Sequence, residues 1–245
     1  MRVTFADELR QSSIEIWQKI LNHRFIIELS NNTLPVNKFL FYLKQDHYFL
    51  EEFAKFLQSA KQKTANGKMK KCLDCLYAST INFEMELQRQ MLSSLEETLL
   101  SASNSPPPPP HSTSPNSISS SATTTIKHNN IVPFKTTLNY TSYLKDISSR
   151  GMFSEIMSAM APCPWTYLEI AQHLSKHHIQ NEVYSHWAQF YSSNESRKQV
   201  HEIKGILNLL GQNESEKSKE KMKNHFATAC KHEYLFWEMA YNLRG

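Results

Sequence analysis

The sequence predicts an all-α fold, a bundle of eight to ten helices interrupted by one low-complexity loop. Three observations predict it. Only five glycines occur in 245 residues, where an average usage of roughly 7% would supply about 17. Seven of the ten prolines lie between Pro106 and Pro133, so the rest of the chain is nearly free of helix breakers. Outside that stretch apolar residues recur at intervals of three and four, the period of a helix with one buried face.

Each element follows from that pattern. Phe5 to His23 places Leu9, Ile16, Trp17 and Ile20 near one face. Thr33-Leu34-Pro35 starts the next helix with proline in its first turn. Phe39, Tyr42, Leu43, Phe49, Leu50, Phe53, Phe56 and Leu57 are its apolar stripe. Lys68 to Leu99 reads as one long helix, and Thr136 to Ser149 as another that Gly151 stops. Phe153 to Met160 makes a short one. Trp165 to His177, Tyr184 to Tyr191, Glu195 to Leu210 and Glu214 to Leu243 complete the set.

Ser101 to Asn130 is different in kind. A pentaproline, Pro106 to Pro110, leads into serine and threonine runs in which Lys127 is the sole formally charged residue. Such a stretch cannot bury enough apolar surface to offset its ordering entropy. It is expected to be a disordered insertion, locally polyproline II, interrupting a single helical domain over 1–245 at about 101–133. A tolerated loop expansion is favoured over a ligand for SH3- or WW-type grooves.

Composition excludes several functions. No G-x-G-x-x-G or G-x-x-x-x-G-K-[ST] can be built from Gly67, Gly151, Gly205, Gly211 and Gly245, so a Rossmann dinucleotide site and a P-loop are out. Lys and Arg number 27 against 23 Asp and Glu, and no basic cluster interleaves with aromatics, so nucleic acid is not the expected partner. No apolar run approaches the 18 residues of a membrane span. The N-terminus carries Asp7, Glu8 and Arg10 and lacks a signal-peptide core. Cytoplasmic residence is expected. Cys72 and Cys75 form C-x-x-C without a second pair, and no H-E-x-x-H occurs, so no metal site is expected.

Polar residues standing in apolar stripes are the candidates for chemistry. Asp46 has Tyr42, Leu43, Phe49 and Leu50 at three and four residues, and Glu233 has Ala229, Cys230, Phe236 and Trp237. A carboxylate on such a face must find hydrogen bonds or shift its pKa upward. For Asp46 a structural acid satisfied by a tyrosine or arginine is as good a reading as a functional one. Two inward acids could hold a polar ligand, or one could be a general acid near neutral pH. Glu86, beside Asn82, Arg89 and Gln90, reads as a solvated face, and Glu84 is mixed. Cys163 sits in Pro162-Cys163-Pro164-Trp165 at a helix start, where unpaired backbone N–H groups should favour the nucleophilic thiolate. The plainer reading is a small buried hydrophobe. His47 and His232 read as structural or exposed.

Taken together these positions resemble the TenA family, the thiaminase II enzymes of thiamin salvage, over nearly the whole chain outside the insertion. The resemblance runs through F-x-x-E-L-R at Phe5 to Arg10 and I-W-x-x-I-x-x-H-x-F at Ile16 to Phe25. It continues in L-P-x-x-K-F-x-x-Y-L-x-Q-D at Leu34 to Asp46 and E-M-E-L at Glu84 to Leu87. Tyr140-Thr141-x-Tyr143-Leu144, P-C-x-W-x-Y-x-E-I at Pro162 to Ile170, Y-x-x-W-x-x-x-Y at Tyr184 to Tyr191 and E-x-x-F-W-x-M-A-Y at Glu233 to Tyr241 come next in order.

The resemblance implies a haem-oxygenase-like bundle, usually a homotetramer. It implies hydrolysis of thiamin, or of aminomethyl-aminopyrimidine, to hydroxymethylpyrimidine, with no cofactor. Cys163 matches the family's nucleophile, Glu233 the acid that protonates the pyrimidine ring nitrogen, and Asp46 the carboxylate for the exocyclic 4-amino group. Tyr140, Tyr167 and Tyr191 match tyrosines lining the pyrimidine pocket. Phe49 stands where relatives carry tyrosine and keeps the stacking face without the hydroxyl. The alternative is a non-catalytic pyrimidine- or thiamin-binding protein on the same scaffold.

Overall fold

The computed structural model describes residues 3–103 and 131–244. Of the disordered, polyproline-rich insertion expected from Ser101 to Asn130, residues 104–130 lie outside the described residues, whereas Ser101–Ser103 are not disordered but the end of the helix Met85–Ser103. Twelve α-helices and one π-helical turn make up the described chain, with no strand among those residues. No described helix is long and apolar enough to cross a membrane.

The N-terminal segment is three short helices, α1 (Phe5–Ser12), α2 (Ile14–Leu21) and α3 (Arg24–Ser30). Thr4 and Asp7 form a capping box that starts α1. Ser13, at φ −114° and ψ 16°, breaks the expected continuous helix. No local signal announces α3, because its N-cap is a histidine rather than Ser, Thr, Asp or Asn. His23 Nδ1 accepts from the Phe25 N–H at 3.1 Å.

Two 27-residue helices, α4 (Val36–Gln62) and α12 (Glu216–Asn242), cross at the centre, each about 40 Å long. Pro35 is the N-cap of α4, one position ahead of the first turn expected for it. α5 (Gly67–Ser79) begins on Asn66, whose side chain accepts from Lys68 N and Met69 N. The π turn Thr80–Glu84 joins α5 to α6 (Met85–Ser103), so the expected Lys68–Leu99 helix is one rod with an extra residue in it. α7 (Lys135–Arg150) ends at Gly151, as the sequence implies; a Cβ there would lie 2.6 Å from the Ile147 carbonyl oxygen. α8 (Phe153–Met160), α9 (Pro162–Leu174), α10 (Glu182–Tyr191) and α11 (Asn194–Asn213) complete the bundle.

α4 packs on α5, α6, α7 and α12, while α12 also covers α2, α8 and α9. The core between them is aromatic. Tyr42 stacks on Trp237 at 5.1 Å, and Trp17 on Phe226 at 5.8 Å. Buried Gln45 on α4 accepts from Phe134 N and Thr137 Oγ1, both at 2.8 Å, and donates to the Val132 carbonyl at 3.1 Å. That side chain receives the chain as it enters α7. Gly211 serves a close approach instead of a turn, since a Cβ on it would lie 2.3 Å from the Phe5 ring.

Candidate active site

α9 starts one turn earlier than its apolar period suggests. Pro162 and Pro164 both lie in its first turn, where a missing N–H costs nothing. This puts Cys163 in the first turn, facing inward. Glu169, one and a half turns on, anchors the helix. It accepts from Arg10 at 2.9 Å, from Trp17 Nε1 at 2.9 Å and from Trp165 Nε1 at 2.8 Å. The thiol is therefore carried by a helix tied to both α1 and α2.

Cys163 borders a cavity whose wall also holds Asp46, Glu84, Tyr167 and Tyr191. The cavity has a volume of about 50 Å³. It is a narrow slot, sized for a few waters or one flat ring. Tyr167 and Tyr191 lie with ring centroids 4.9 Å apart, and Trp187 and Trp237 stand behind Tyr167 at 5.8 and 5.4 Å.

Asp46 is 3% exposed. One helical turn earlier, the Tyr42 hydroxyl donates to its Oδ2 at 3.0 Å, and Gln88 Nε2 donates to the same oxygen at 2.5 Å. Trp187 Nε1 donates to the Tyr42 hydroxyl at 3.2 Å, which leaves that hydroxyl's own hydrogen for Asp46. His47 Nδ1 lies 3.2 Å from Gln88 Oε1, an oxygen that only accepts, and so orients the amide. Both bonds fall on Oδ2, which leaves Oδ1 unpaired among the described residues. Burial, followed by the charge of Glu84, holds the carboxyl well above the ordinary range.

Glu233, on α12, is 2% exposed. The Tyr140 hydroxyl donates to its Oε1 at 2.6 Å, and the Cys163 thiol lies close enough to lower its pKa. Burial raises its pKa to about 7 against the pull of those two groups. Tyr140 itself stacks on His232 at 4.9 Å and lies 4.9 Å from Phe49. Glu233, Tyr140 and Phe49 thus stand behind Cys163, whereas Asp46, Tyr167 and Tyr191 stand in the cavity wall.

One expectation is corrected. The helix start was expected to favour thiolate at Cys163, but the thiol pKa is raised well above its ordinary value. Burial is the largest cause, followed by the charges of Glu233, Glu84 and Asp46. A helix N-terminus offers about half a positive charge, which desolvation and three carboxyls outweigh.

Glu84, whose sequence neighbours leave its face undecided, belongs to the site. It lines the slot, accepts a hydrogen bond from the Tyr191 hydroxyl through Oε1 and another from Thr80, and burial raises its pKa to about 7. Glu84 closes the π turn, while Glu86 stays outside, paired with Arg89. A signal existed in Thr80, Glu84 and Gln88, three polar residues at intervals of four that all turn inward. Cys72 and Cys75 lie away from the slot on α5, the first buried and the second exposed.

Comparison with known proteins fits this geometry. The family model described as TENA/THI-4/PQQC matches residues 10–114 and 126–243. The chain belongs to the TENA/THI-4/PQQC family. Among relatives of this family, the aminopyrimidine aminohydrolase of Bacillus subtilis (strain 168) is 30% identical, the alignment covering 98% of this chain and 91% of that one. A TenA homologue from P. horikoshii OT3 superposes with a TM-score of 0.75 at 26% identity, over 98% of this chain and 99% of that one. A Shewanella denitrificans OS217 domain with a haem-oxygenase-like fold superposes with a TM-score of 0.66 at 12% identity, covering 96% and 91% of the two chains. That likeness concerns the fold, which is the all-α bundle the sequence predicts.

Proposed function

We propose that this member of the TENA/THI-4/PQQC family is a hydrolase of thiamin salvage. It would release 4-amino-5-hydroxymethyl-2-methylpyrimidine from thiamin or from 4-amino-5-aminomethyl-2-methylpyrimidine. The observation that carries the proposal is Cys163 in the wall of an aromatic-lined cavity, close enough to the buried Glu233 carboxyl for each to act on the other. A nucleophile beside an acid–base group, with Asp46 in the same cavity wall, is what addition to an aminopyrimidine ring needs.

In this reading Asp46 Oδ1 takes the exocyclic amino group, and the tyrosine walls hold the ring dry. The thiol proton passes through Glu233 to a ring nitrogen as the sulfur adds to the adjacent ring carbon. One proton shared by the two groups is enough, so the high thiol pKa of the free enzyme is no obstacle. Addition places electron density where it expels the amine, or the thiazole, from the exocyclic methylene. Water adds to that methylene, the sulfur leaves, and the ring proton returns to the pair. No step calls for a metal or an organic cofactor. Homotetrameric assembly belongs to the same proposal and rests on the family resemblance; sedimentation velocity tests it.

The test is a substrate panel. Thiamin and the aminomethyl-aminopyrimidine are incubated with the protein, and the hydroxymethyl product is followed by mass spectrometry. Release of that product from at least one of them is expected. Tight binding of both without turnover would instead establish a pyrimidine-binding protein.

A further inference from the structure

Three carboxyl groups act on the Cys163 sulfur, two of them, Asp46 and Glu84, in the wall of the slot, and the proposed chemistry uses Asp46 and Glu233. Asp46 faces the amino group of the ring, and Glu233 exchanges a proton with the ring and Cys163. Glu84 is left over. Burial and the donors Tyr191 and Thr80 account for its pKa, and no cationic side chain contributes. It sits close enough for its charge to act on both Asp46 and Cys163. A carboxyl in this setting, hydrogen-bonded but without a counter-ion, is suited to a positive charge brought by the occupant of the slot.

Its position says which part of the occupant that is. Glu233 acts on Cys163 but is not part of the slot's lining, whereas Glu84 is. Glu84 lies on the side built by Ser79, Thr80, Ser196 and Gln199. Ser79, Phe190 and Ser196 also line an open surface groove next to the slot, so this side leads outward. A ring seated with its amino group at Asp46 and a ring carbon at the sulfur turns its remaining large substituent toward that exit.

Both candidate substrates carry a positive charge there. The aminomethyl group is an ammonium near neutral pH, and the thiazolium nitrogen is permanently charged. The product alcohol is neutral at the same atom.

We infer that Glu84 is the specificity-determining carboxylate that receives the cationic substituent of the substrate, positioned by the Tyr191 hydroxyl and by the π turn. The inference rests on the proposed pyrimidine-hydrolase reading and adds a group selected by charge. Because the leaving group departs neutral, the attraction is stronger in the bound substrate than in the transition state. It therefore acts on substrate affinity more than on turnover. Loss of the positive charge as the amine or thiazole leaves removes that attraction and so favours release of the alcohol.

Calorimetric titration tests this on the full-length protein carrying Cys163→Ser, so that neither probe is turned over, with the aminomethyl-aminopyrimidine and the hydroxymethyl product as the two probes. Glu84→Gln is expected to weaken the ammonium probe at least tenfold at pH 7.5 while the alcohol stays within about twofold of its value with Glu84 in place. In steady-state kinetics with Cys163 in place, the loss should fall on KM, with kcat changed by a smaller factor. Glu84→Asp keeps the charge at a shorter reach and should give an intermediate loss for the ammonium only. It also serves if the glutamine variant does not fold. An equal effect on both probes, or no effect on either, overturns the assignment while leaving the hydrolase reading intact. Protein with Glu84 in place that binds neither probe overturns both.

Discussion

Glu233→Gln should make the protein slower and, above neutral pH, more stable. The carboxyl titrates near 4.5 in an unfolded chain and is raised to about 7 in the fold, chiefly by burial. A raised carboxyl binds its proton more tightly when folded, so its contribution is most favourable below pH 4.5. That contribution is lost as pH climbs toward 7, and above 7 the fold carries a buried charge at full cost. The difference corresponds to about 3 kcal/mol between the two limits, at roughly 1.4 kcal/mol per pH unit. Glutamine has nearly the same shape, can still accept from the Tyr140 hydroxyl, and never ionises.

The assay is urea unfolding of wild type and variant at pH 5 and pH 8.5. The stability of the variant relative to wild type should shift in its favour by about 2–3 kcal/mol between those pH values. Asp46 titrates upward partly because of the Glu233 charge, so the variant should also ease that group and enlarge the shift. Turnover of the same variant is expected to fall by about 10² to 10⁴. A stability difference independent of pH would refute the account, since it would mean that Glu233 ionises in the fold as readily as in water.

Further outcomes rest on the same geometry. Cys163→Ser should abolish turnover while far-ultraviolet circular dichroism stays helical; undiminished turnover would remove the nucleophile. kcat/KM should rise as pH increases through about 7, where Glu233 and Glu84 both ionise, because the Cys163–Glu233 pair must hold one proton and not two. Tyr140→Phe removes a 2.6 Å hydrogen bond that favours the ionised Glu233, so this limb of the profile should move to higher pH. Gly211→Ala drives a Cβ into the Phe5 ring and should cost about 1–3 kcal/mol. Thermal melting would read it as a drop of roughly 2–10 °C, with activity per folded molecule kept.

Much of this was legible in the chain because its signals are local. Scarce glycine and the three-and-four spacing of apolar residues depend on backbone period alone, and they mark an all-α bundle. Asp46 and Glu233 stand out because four apolar neighbours share a face with each, whatever the partner helix is. The ordered motifs carry the family. The same local logic placed the Gly151 stop and kept Glu86 on the surface.

What only the tertiary structure decided depends on groups far apart in sequence. The state of the Cys163 thiol is one such property. A proline-flanked helix start argues for thiolate, but α4, the π turn and α12 bring three carboxyls to the same cavity and bury them together. Desolvation and summed charge then outweigh a local dipole. Glu84 is the other. Its sequence neighbours leave its face ambiguous, and its partner lies across the slot. Tyr191, 107 residues away, donates the bond that holds it. Periodicity can say which side of a helix is buried; it cannot say what waits on the other side.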